Sequence, residues 1–147
     1  MTTTPEPLDV LTLGETMALL VAQEPGPLEQ VQTFSKRLAG ADSNVAIGLA
    51  RLGFKVGWVS RLGADSFGRY VRQAIEAEGV DTSQVAVDPN RSTGFMLKSC
   101  SLDGSDPAIE YYRRNSAASQ LGMANLPSAY ALRARGCGPT PPPCATP

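Results

Sequence analysis

Histidine is absent from this chain of 147 residues, and cysteine occurs only three times. Cys100, Cys137 and Cys144 are too few and too unevenly spaced to form the disulfide framework of a small secreted domain. Without imidazole ligands, a zinc site is not expected either. The composition therefore argues against two common classes of small protein, the disulfide-stabilised domain and the zinc-stabilised domain.

The chain also lacks an excess of charge of either sign and any long hydrophobic run. Thirteen basic residues against fourteen acidic ones leave a formal net charge of −1, so no cationic surface for nucleic acid or anionic lipid is expected. No apolar run approaches the roughly 20 residues needed to cross a bilayer. The start, MTTTPEPLDV, has neither the basic nor the apolar segment of a signal peptide. We therefore expect a cytoplasmic protein without nucleic-acid or membrane partners.

Apolar periodicity predicts alternating strands and helices in the first half of the chain. Residues 10–13 and 56–60 form short β-type runs. The candidate cap of the first helix is Asp42 or Ser43, and that of the second is Asp65. The predicted buried stripes are Val45, Leu49 and Leu52 on the first helix, and Phe67, Tyr70, Val71, Ala74 and Ile75 on the second. This order predicts an α/β layer with a parallel sheet, at the usual size of one domain.

The second half shows shorter β-type segments with no helical period between them. Residues 85–87, 94–99 and 109–113 are separated by turn residues, which predicts a small sheet beside the α/β layer. Residues 125–133 predict a third helix. The end of the chain, GCGPTPPPCATP, holds five prolines and few residues that could pack. We therefore predict that it is unstructured.

Small residues crowd the start of the first helix. Ala39-Gly40-Ala41 lets a ligand approach the backbone closely, and the N–H groups of a helix N-terminus favour oxygen-rich or anionic ligands. The same residues also fit a tight strand-to-helix turn in which Asn44 only satisfies local backbone groups. Gly63-Ala64-Asp65-Ser66 repeats the letters of residues 40–43, and capping of two helices explains that repeat. From the residues alone, a ligand site and a plain turn both stay open.

Several fixed spacings together agree with one known family. The stretch AGADSNVAIGLARLGFKVGWVSRLGADSFG resembles the N-terminal signature of the ribokinase-like, or PfkB, family of carbohydrate kinases, in which Asn44, Gly53 and Gly63 match fixed positions. LTLGETMALL at residues 11–20 and YYRRNSAAS at residues 111–119 are similar to the 2-keto-3-deoxygluconate kinase branch. The resemblance covers residues 9–133 and leaves out the end of the chain.

The resemblance implies a ribokinase-like α/β fold, of which this chain has the N-terminal part of a parallel α/β sheet with a small β lid. The expected divisions are a disordered leader at residues 1–8, the kinase portion at 9–133 and an unstructured proline-rich tail at 134–147. The lid is expected within residues 16–34 and 85–113. Because such kinases are considerably longer, we expect a truncated chain or a shifted reading frame after residue 133.

The resemblance also implies which residues contact a sugar. They are Gly14 and Glu15 after the first strand, Gly40, Ala41 and Asn44 at the small-residue turn, and Tyr111 and Arg113 in the lid. Residues two apart on a strand face the same side, so Tyr111 and Arg113 are expected to cover the sugar together. The forked guanidinium suits a carboxylate, which favours a sugar acid over a neutral sugar. The alternatives are that Glu15 only stabilises a turn and that Arg113 is a solvated strand end.

One departure from the branch concerns the substrate. Met96 stands where the branch often has a tyrosine, so one hydroxyl contact is missing. The resemblance therefore leaves the exact sugar open.

The chemistry that the resemblance implies is transfer of the ATP γ-phosphoryl group to a sugar hydroxyl. Mg²⁺ offsets the phosphate charge, and an aspartate in a Gly-Ala-Gly-Asp turn takes the hydroxyl proton. That turn belongs to the C-terminal half of the family and is not in this sequence. Asp65 is explained as a helix cap. The sequence therefore assigns no catalytic, cofactor-binding or metal-binding residue, and little or no activity is expected of this chain alone.

Two other classes of function stay open. A non-catalytic sugar-binding or dimerisation module is one, because a small β lid can pair between two subunits as a homodimer and needs no nucleotide. A dinucleotide-binding domain is the other, since a strand, a glycine-containing turn and a helix recur. However, Gly14-Glu15-Thr16 lacks the close glycine spacing that a pyrophosphate requires.

Overall fold

The computed structural model describes residues 7–102, 104–122, 126 and 128–138. The strands and helices of this part are, in chain order, β1 (Leu8–Leu13), β2 (Met17–Pro25), β3 (Phe34–Ala39), α1 (Ala41–Arg51), β4 (Val56–Val59), β5 (Arg61–Gly63), α2 (Ser66–Glu76), β6 (Ala86–Asp88), β7 (Phe95–Cys100), β8 (Ile109–Tyr112), α3 (Ser128–Ala131) and β9 (Ala134–Gly138). Short 3-10 turns lie at Leu28–Gln30 and Ala117–Gln120.

Three sheets organise these elements. The first has the strand order β4-β1-β9, and both of its pairings are parallel. The second, which we call the lid, has the order β3-β2-β7-β8 and mixes antiparallel pairs with the parallel pair of β2 and β7. The third is the parallel pair of β5 and β6. The predicted α/β architecture, with a parallel sheet and a small second sheet, is therefore confirmed.

The main hydrophobic core lies between the helices and the strands, where Trp58 is fully buried. Val71 and Ile75 of α2 are also fully buried, and Phe67 and Tyr70 pack partly against the same cluster. The predicted apolar stripe of α2 is thus confirmed. Phe67 also contacts Phe95 of the lid, with 5.5 Å between ring centroids. This contact ties the lid to the core.

The predicted stripe of α1 is confirmed only at Leu49, which packs partly against the main core. Val45 is 55 % exposed and Leu52 is 75 % exposed, whereas the fully buried positions are Ser43 and Ala46. Small side chains on this face let the helix backbone approach β1 and β4 closely. The predicted cap is also wrong, because Gly40 occupies the cap position and Ser43 lies within the first turn.

Both ends of the described chain are more ordered than the sequence predicted. Leu8, assigned to the leader, begins β1 and is buried. Residues 134–138, assigned to the unstructured tail, form β9, which pairs with β1. Strand pairing uses backbone groups, so a stretch with few packing side chains can still complete a sheet. Residues 1–6 and 139–147 lie outside the described residues.

The expected lid segments also need correction. The segment 16–34 includes only the first residue of β3, a strand that pairs with β2 along its whole length. The segment 85–113 includes β6, which pairs with β5 instead of joining the lid. β3 was missed because its sequence, FSKRLA, carries two adjacent basic residues, as suits the exposed edge of a sheet.

The third helix is shorter than predicted. It covers Ser128–Ala131, and residues 125 and 127 of the predicted helix lie outside the described residues. Tyr130 is buried, and its hydroxyl donates to Asp81 Oδ2 at 2.7 Å. This bond anchors the short helix beneath β4. In the described ranges, no helix has the length and apolarity needed to cross a membrane.

Candidate functional site

Four connections between the lid and the rest of the fold meet in one corner of the molecule. They are residues 14–16 between β1 and β2, Gly40 between β3 and α1, residues 93–94 before β7, and residues 113–116 after β8. Contacts from Glu15 reach three of the other connections. We call this region the polar corner, and it consists of Gly14, Glu15, Gly40, Gly94 and Arg113.

Glu15 lies at the centre of the polar corner. Its side chain is only 11 % exposed, and its Oε2 lies 2.6 Å from Nη2 of Arg113. The other oxygen, Oε1, accepts a hydrogen bond from Ser116 Oγ at 2.7 Å. Both carboxylate oxygens of Glu15 are therefore engaged by partners from the turn after β8. Arg113 is more open, with 55 % of its side chain exposed.

A tight turn presents both partners to Glu15. Ser116 N donates to Arg113 O at 3.1 Å, which closes the turn. Asn115 has a φ of 59°, a left-handed conformation that asparagine tolerates better than most residues. Ser116 also caps the following 3-10 turn through Ser119 N. The turn therefore holds the Arg113 and Ser116 side chains in a fixed relation.

Three glycines make room for this arrangement. A Cβ added at Gly14 would lie 1.9 Å from Asp42 Oδ2, and one at Gly40 would lie 2.9 Å from the Glu15 carbonyl oxygen. A Cβ added at Gly94 would lie 2.7 Å from Glu15 Oε1. At Gly40 a backbone atom is in the way and glycine is required, whereas a larger residue at Gly14 or Gly94 would displace the carboxylate of Asp42 or Glu15. The backbone is therefore closely packed and partly bare at this corner.

The start of α1 forms one wall of the polar corner. Gly40 has an extended backbone, and its carbonyl oxygen accepts from Asn44 N at 3.0 Å and from Ser43 Oγ at 3.1 Å. Asp42 lies in the first turn, where its negative charge interacts favourably with the helix dipole. Ala41 is exposed at the helix start. The small-residue turn thus leads directly into a helix, as the sequence predicted.

The structure brings together Gly14, Glu15, Gly40 and Arg113, and Ala41 follows Gly40 directly. The remaining two predicted residues line other grooves. Asn44 is exposed and borders a groove of about 500 Å³ that also includes Lys36, Tyr70 and Arg51. Tyr111 is 58 % exposed and borders a groove of about 350 Å³ with Phe95, Tyr112 and Asn115. Arg113 lines neither of these two grooves.

The sequence analysis did not identify Gly94 as part of the polar corner, nor Ser116 and Thr16 as residues that contact it. Ser116 could have been found from the sequence, because a serine often caps a turn by accepting from the backbone N–H three residues later, here that of Ser119. Thr16 is fully buried, and its hydroxyl has no hydrogen-bond partner among the described residues. An unpaired buried hydroxyl costs about 1–3 kcal/mol, so this atom marks a place where a polar partner would stabilise the fold.

Asp65 connects the start of α2 to the strand that enters the lid. Its Oδ1 accepts from Gly68 N, and its Oδ2 accepts from Thr93 N, each at 2.7 Å. Thr93 Oγ1 in turn accepts from Gly63 N at 2.9 Å. Burial alone would raise the pKa of Asp65, but the backbone hydrogen bonds from Thr93 and Gly68 outweigh it, so this pKa lies below its ordinary value of 3.8. The predicted cap is therefore confirmed, and it also anchors the lid.

Within the part of the chain that the structure describes, no three metal-ligating side chains come together. The sequence has no Gly-Ala-Gly-Asp turn. The polar corner offers a cation, a shielded carboxylate and close-packed backbone. Those groups can bind and orient a polar ligand.

Comparison with known proteins identifies a family for this chain. Residues 8–141 match the profile of the pfkB family of carbohydrate kinases. Over 124 residues, the chain is 52 % identical to the 2-dehydro-3-deoxygluconokinase of Bacillus subtilis (strain 168), a match that covers 84 % of this chain and 38 % of that protein. A PfkB protein from Polaromonas sp. JS666 has a solved structure that matches with a TM-score of 0.85 and 56 % identity, over 88 % of this chain and 44 % of that one.

A more distant solved structure shows the same fold. The 2-dehydro-3-deoxygluconokinase of Thermotoga maritima is 24 % identical and matches with a TM-score of 0.80, over 88 % of this chain and 40 % of that one. In each comparison, the chain spans less than half the length of the relative. The family profile nevertheless covers most of the chain. This protein chain therefore belongs to the pfkB family of carbohydrate kinases and has a ribokinase-like fold.

Proposed function

We propose that this chain provides the sugar-contacting half of an ATP-dependent kinase for a sugar acid such as 2-keto-3-deoxygluconate. The observation that carries the proposal is the half-exposed guanidinium of Arg113, held beside the close-packed glycine corner by Glu15. A planar fork of N–H donors suits a carboxylate. The similarity to a 2-dehydro-3-deoxygluconokinase, which acts on the same compound under another name, supports this substrate class.

Each part of the polar corner has a role in this proposal. Arg113 holds the carboxylate of the sugar acid. Gly40 lets the start of α1 pack directly against the backbone of Glu15, which fixes the position of Glu15. Asn44 and Tyr111 lie in other grooves and do not carry the proposal.

The nucleotide chemistry lies outside what these residues can supply. In this family, ATP provides the phosphoryl group and Mg²⁺ offsets its charge. The Gly-Ala-Gly-Asp turn that carries the proton-accepting aspartate in this family does not occur in the sequence of this chain. The role of this chain is to bind and orient the sugar. We therefore propose that it has little or no phosphoryl-transfer activity alone.

The proposed inactivity is tested by a coupled assay of ADP release. The purified chain is incubated with 2-keto-3-deoxygluconate, ATP and Mg²⁺, and a complete pfkB kinase serves as the positive control. The expected result is a rate at the level of the blank. Turnover comparable to that of the complete kinase would refute the claim that this chain is inactive alone.

The role of Arg113 is tested by comparing two neighbouring arginines. We expect Arg113→Ala to weaken binding of 2-keto-3-deoxygluconate about ten- to a hundredfold, because a charge-assisted pair is lost. The matched control, Arg114→Ala, removes the same charge one residue away and should change affinity less than about twofold. Isothermal titration calorimetry measures both.

A second variant distinguishes weaker sugar binding from loss of folding. Arg113→Ala leaves the buried Glu15 unpaired, whereas Arg113→Lys keeps a cation beside it. We expect the lysine variant to melt close to the wild-type temperature and still to bind the sugar acid more weakly, since the fork is gone. If both Arg113 variants bind like Arg114→Ala, the carboxylate is held elsewhere.

A dimerisation module is the second candidate function. It is favoured by the exposed apolar side chains of β8, where Ile109 is 42 % and Tyr112 is 48 % exposed on the free edge of the lid. Size-exclusion chromatography with light scattering, run beside a sugar titration, separates the two candidates. A stable dimer that binds no sugar would favour dimerisation, and a monomer that binds the sugar acid would favour the kinase half.

A further inference from the structure

We infer that Glu15 sets the substrate preference of the polar corner, because its carboxylate competes with a ligand carboxylate for Arg113. This inference rests on the proposed function, since it takes Arg113 as the group that receives the sugar acid. It changes the role of Glu15 itself. The sequence suggested that Glu15 contacts sugar hydroxyls, whereas the structure shows its two oxygens already engaged by Arg113 and Ser116.

The two members of the ion pair differ in their access to solvent. Glu15 is 11 % exposed and Arg113 is 55 % exposed, so the arginine is the member that a ligand can reach. Glu15 is held from the inside, where Ser116 Oγ donates to Oε1 and the Gly94 position leaves only enough room for that oxygen. An incoming carboxylate therefore meets a guanidinium that already has a resident anion.

The charges decide the direction of the effect. Glu15 and Arg113 together are neutral, so binding a sugar acid leaves two carboxylates on one guanidinium. Two such carboxylates lie about 5–6 Å apart, and their repulsion weakens binding about threefold in a water-like medium and more in a partly buried site. A neutral sugar experiences no such repulsion. Removing the charge of Glu15 should therefore favour sugar acids specifically.

A purely positioning role for Glu15 gives the opposite expectation. If Glu15 only orients Arg113, then neutralising it lets the guanidinium move, and binding of the sugar acid becomes weaker. If Glu15 only supports the fold, acidic and neutral sugars are affected alike. The sign of the change and its dependence on ligand charge thus separate competition from these two roles.

The test uses the whole chain and the variant Glu15→Gln, which keeps an oxygen to accept from Ser116 and removes the charge. The control is Glu29→Gln, which changes the net charge equally on an exposed 3-10 turn. Calorimetric titrations use 2-keto-3-deoxygluconate and the neutral sugar fructose. We expect Glu15→Gln to bind the acid about three- to tenfold more tightly and to change fructose binding less than about twofold. Weaker binding of the acid, or an equal change for both ligands, would overturn the inference.

A second measurement separates this inference from the proposed function. If neither the wild type nor the variant binds either sugar, the proposed function fails. Access to Arg113 is then measured directly by titrating sodium acetate and following the ¹⁵Nε NMR signal of Arg113. Competition predicts that the signal moves at lower acetate concentration in Glu15→Gln than in the wild type or Glu29→Gln. The same response in all three proteins would contradict it.

Discussion

Replacing Gly68 by alanine is expected to lower the free energy of unfolding by about 3 kcal/mol, because the added methyl group has no space. A Cβ at this position would lie 2.2 Å from the carbonyl oxygen of Gly63 and 2.9 Å from Thr93 Oγ1. The nearer atom belongs to the backbone and cannot rotate away. Relief requires α2 to move, which would disturb the buried contacts of Val71 and Ile75.

The same substitution at Gly48 is the matched control. Gly48 also lies inside a helix, but a Cβ there would meet nothing within 4 Å. Alanine is the better helix former, so Gly48→Ala should stabilise the chain by about 0.5–1 kcal/mol. Urea unfolding of both variants measures the difference. Equal shifts of the two urea midpoints would show that lack of space does not cause the effect of alanine at Gly68.

Replacing Asp65 by alanine is expected to cost about 2–4 kcal/mol, because one carboxylate both caps α2 and satisfies a buried backbone group of the lid connection. The cap is lost at Gly68 N, and the buried Thr93 N–H loses its acceptor. Asp65→Asn keeps one acceptor oxygen and should fall between alanine and the wild type. Asp106→Ala, in the exposed loop between β7 and β8, is the control and should change stability little.

The effect of Asp65 also depends on pH in a defined direction. The pKa of Asp65 in the folded chain lies below its ordinary value of 3.8, so the native state favours the ionised form. Its contribution is therefore fully present above pH 3.8 and is lost as the pH falls through the lower, folded value. We expect the stability difference between wild type and Asp65→Ala to shrink between pH 7 and pH 3. A difference that stays constant over this range would contradict an ionised cap.

Much of the fold could be predicted where the hydrophobicity of a side chain indicates whether it is buried. The stripe of α2 is regular, and Val71 and Ile75 are both fully buried. The buried face of α1 could not be predicted from hydrophobicity. Ser43 and Ala46 are buried there because they are small. β9 escaped prediction for a related reason, since its place is fixed by backbone pairing with β1.

The candidate site was predicted in part, and the limit lies in local geometry. The resemblance to a kinase family implied that Gly40 and Arg113 contact the same ligand, and the structure places both at the polar corner. Successive residues of a helix are rotated by about 100°, so Ser43 is buried and the next residue, Asn44, is exposed. The spacing of the family signature does not predict which of the two faces inward. Strand β8 ends at Tyr112, so Arg113 reaches Glu15 from a turn rather than from the strand that carries Tyr111.

The central position of β1 in its sheet has a consequence for how the chain is made. Leu8 pairs with Ala134 and Val10 pairs with Val56, so β1 is flanked on both sides by segments that are synthesised after it. During synthesis, β1 can pair with β4 once residue 59 has been made. It can pair with β9 only after nearly all of the described chain has been made. Such distant pairings are slow to form. Until β9 has been synthesised, one edge of β1 therefore lacks the partner strand that it has in the described fold.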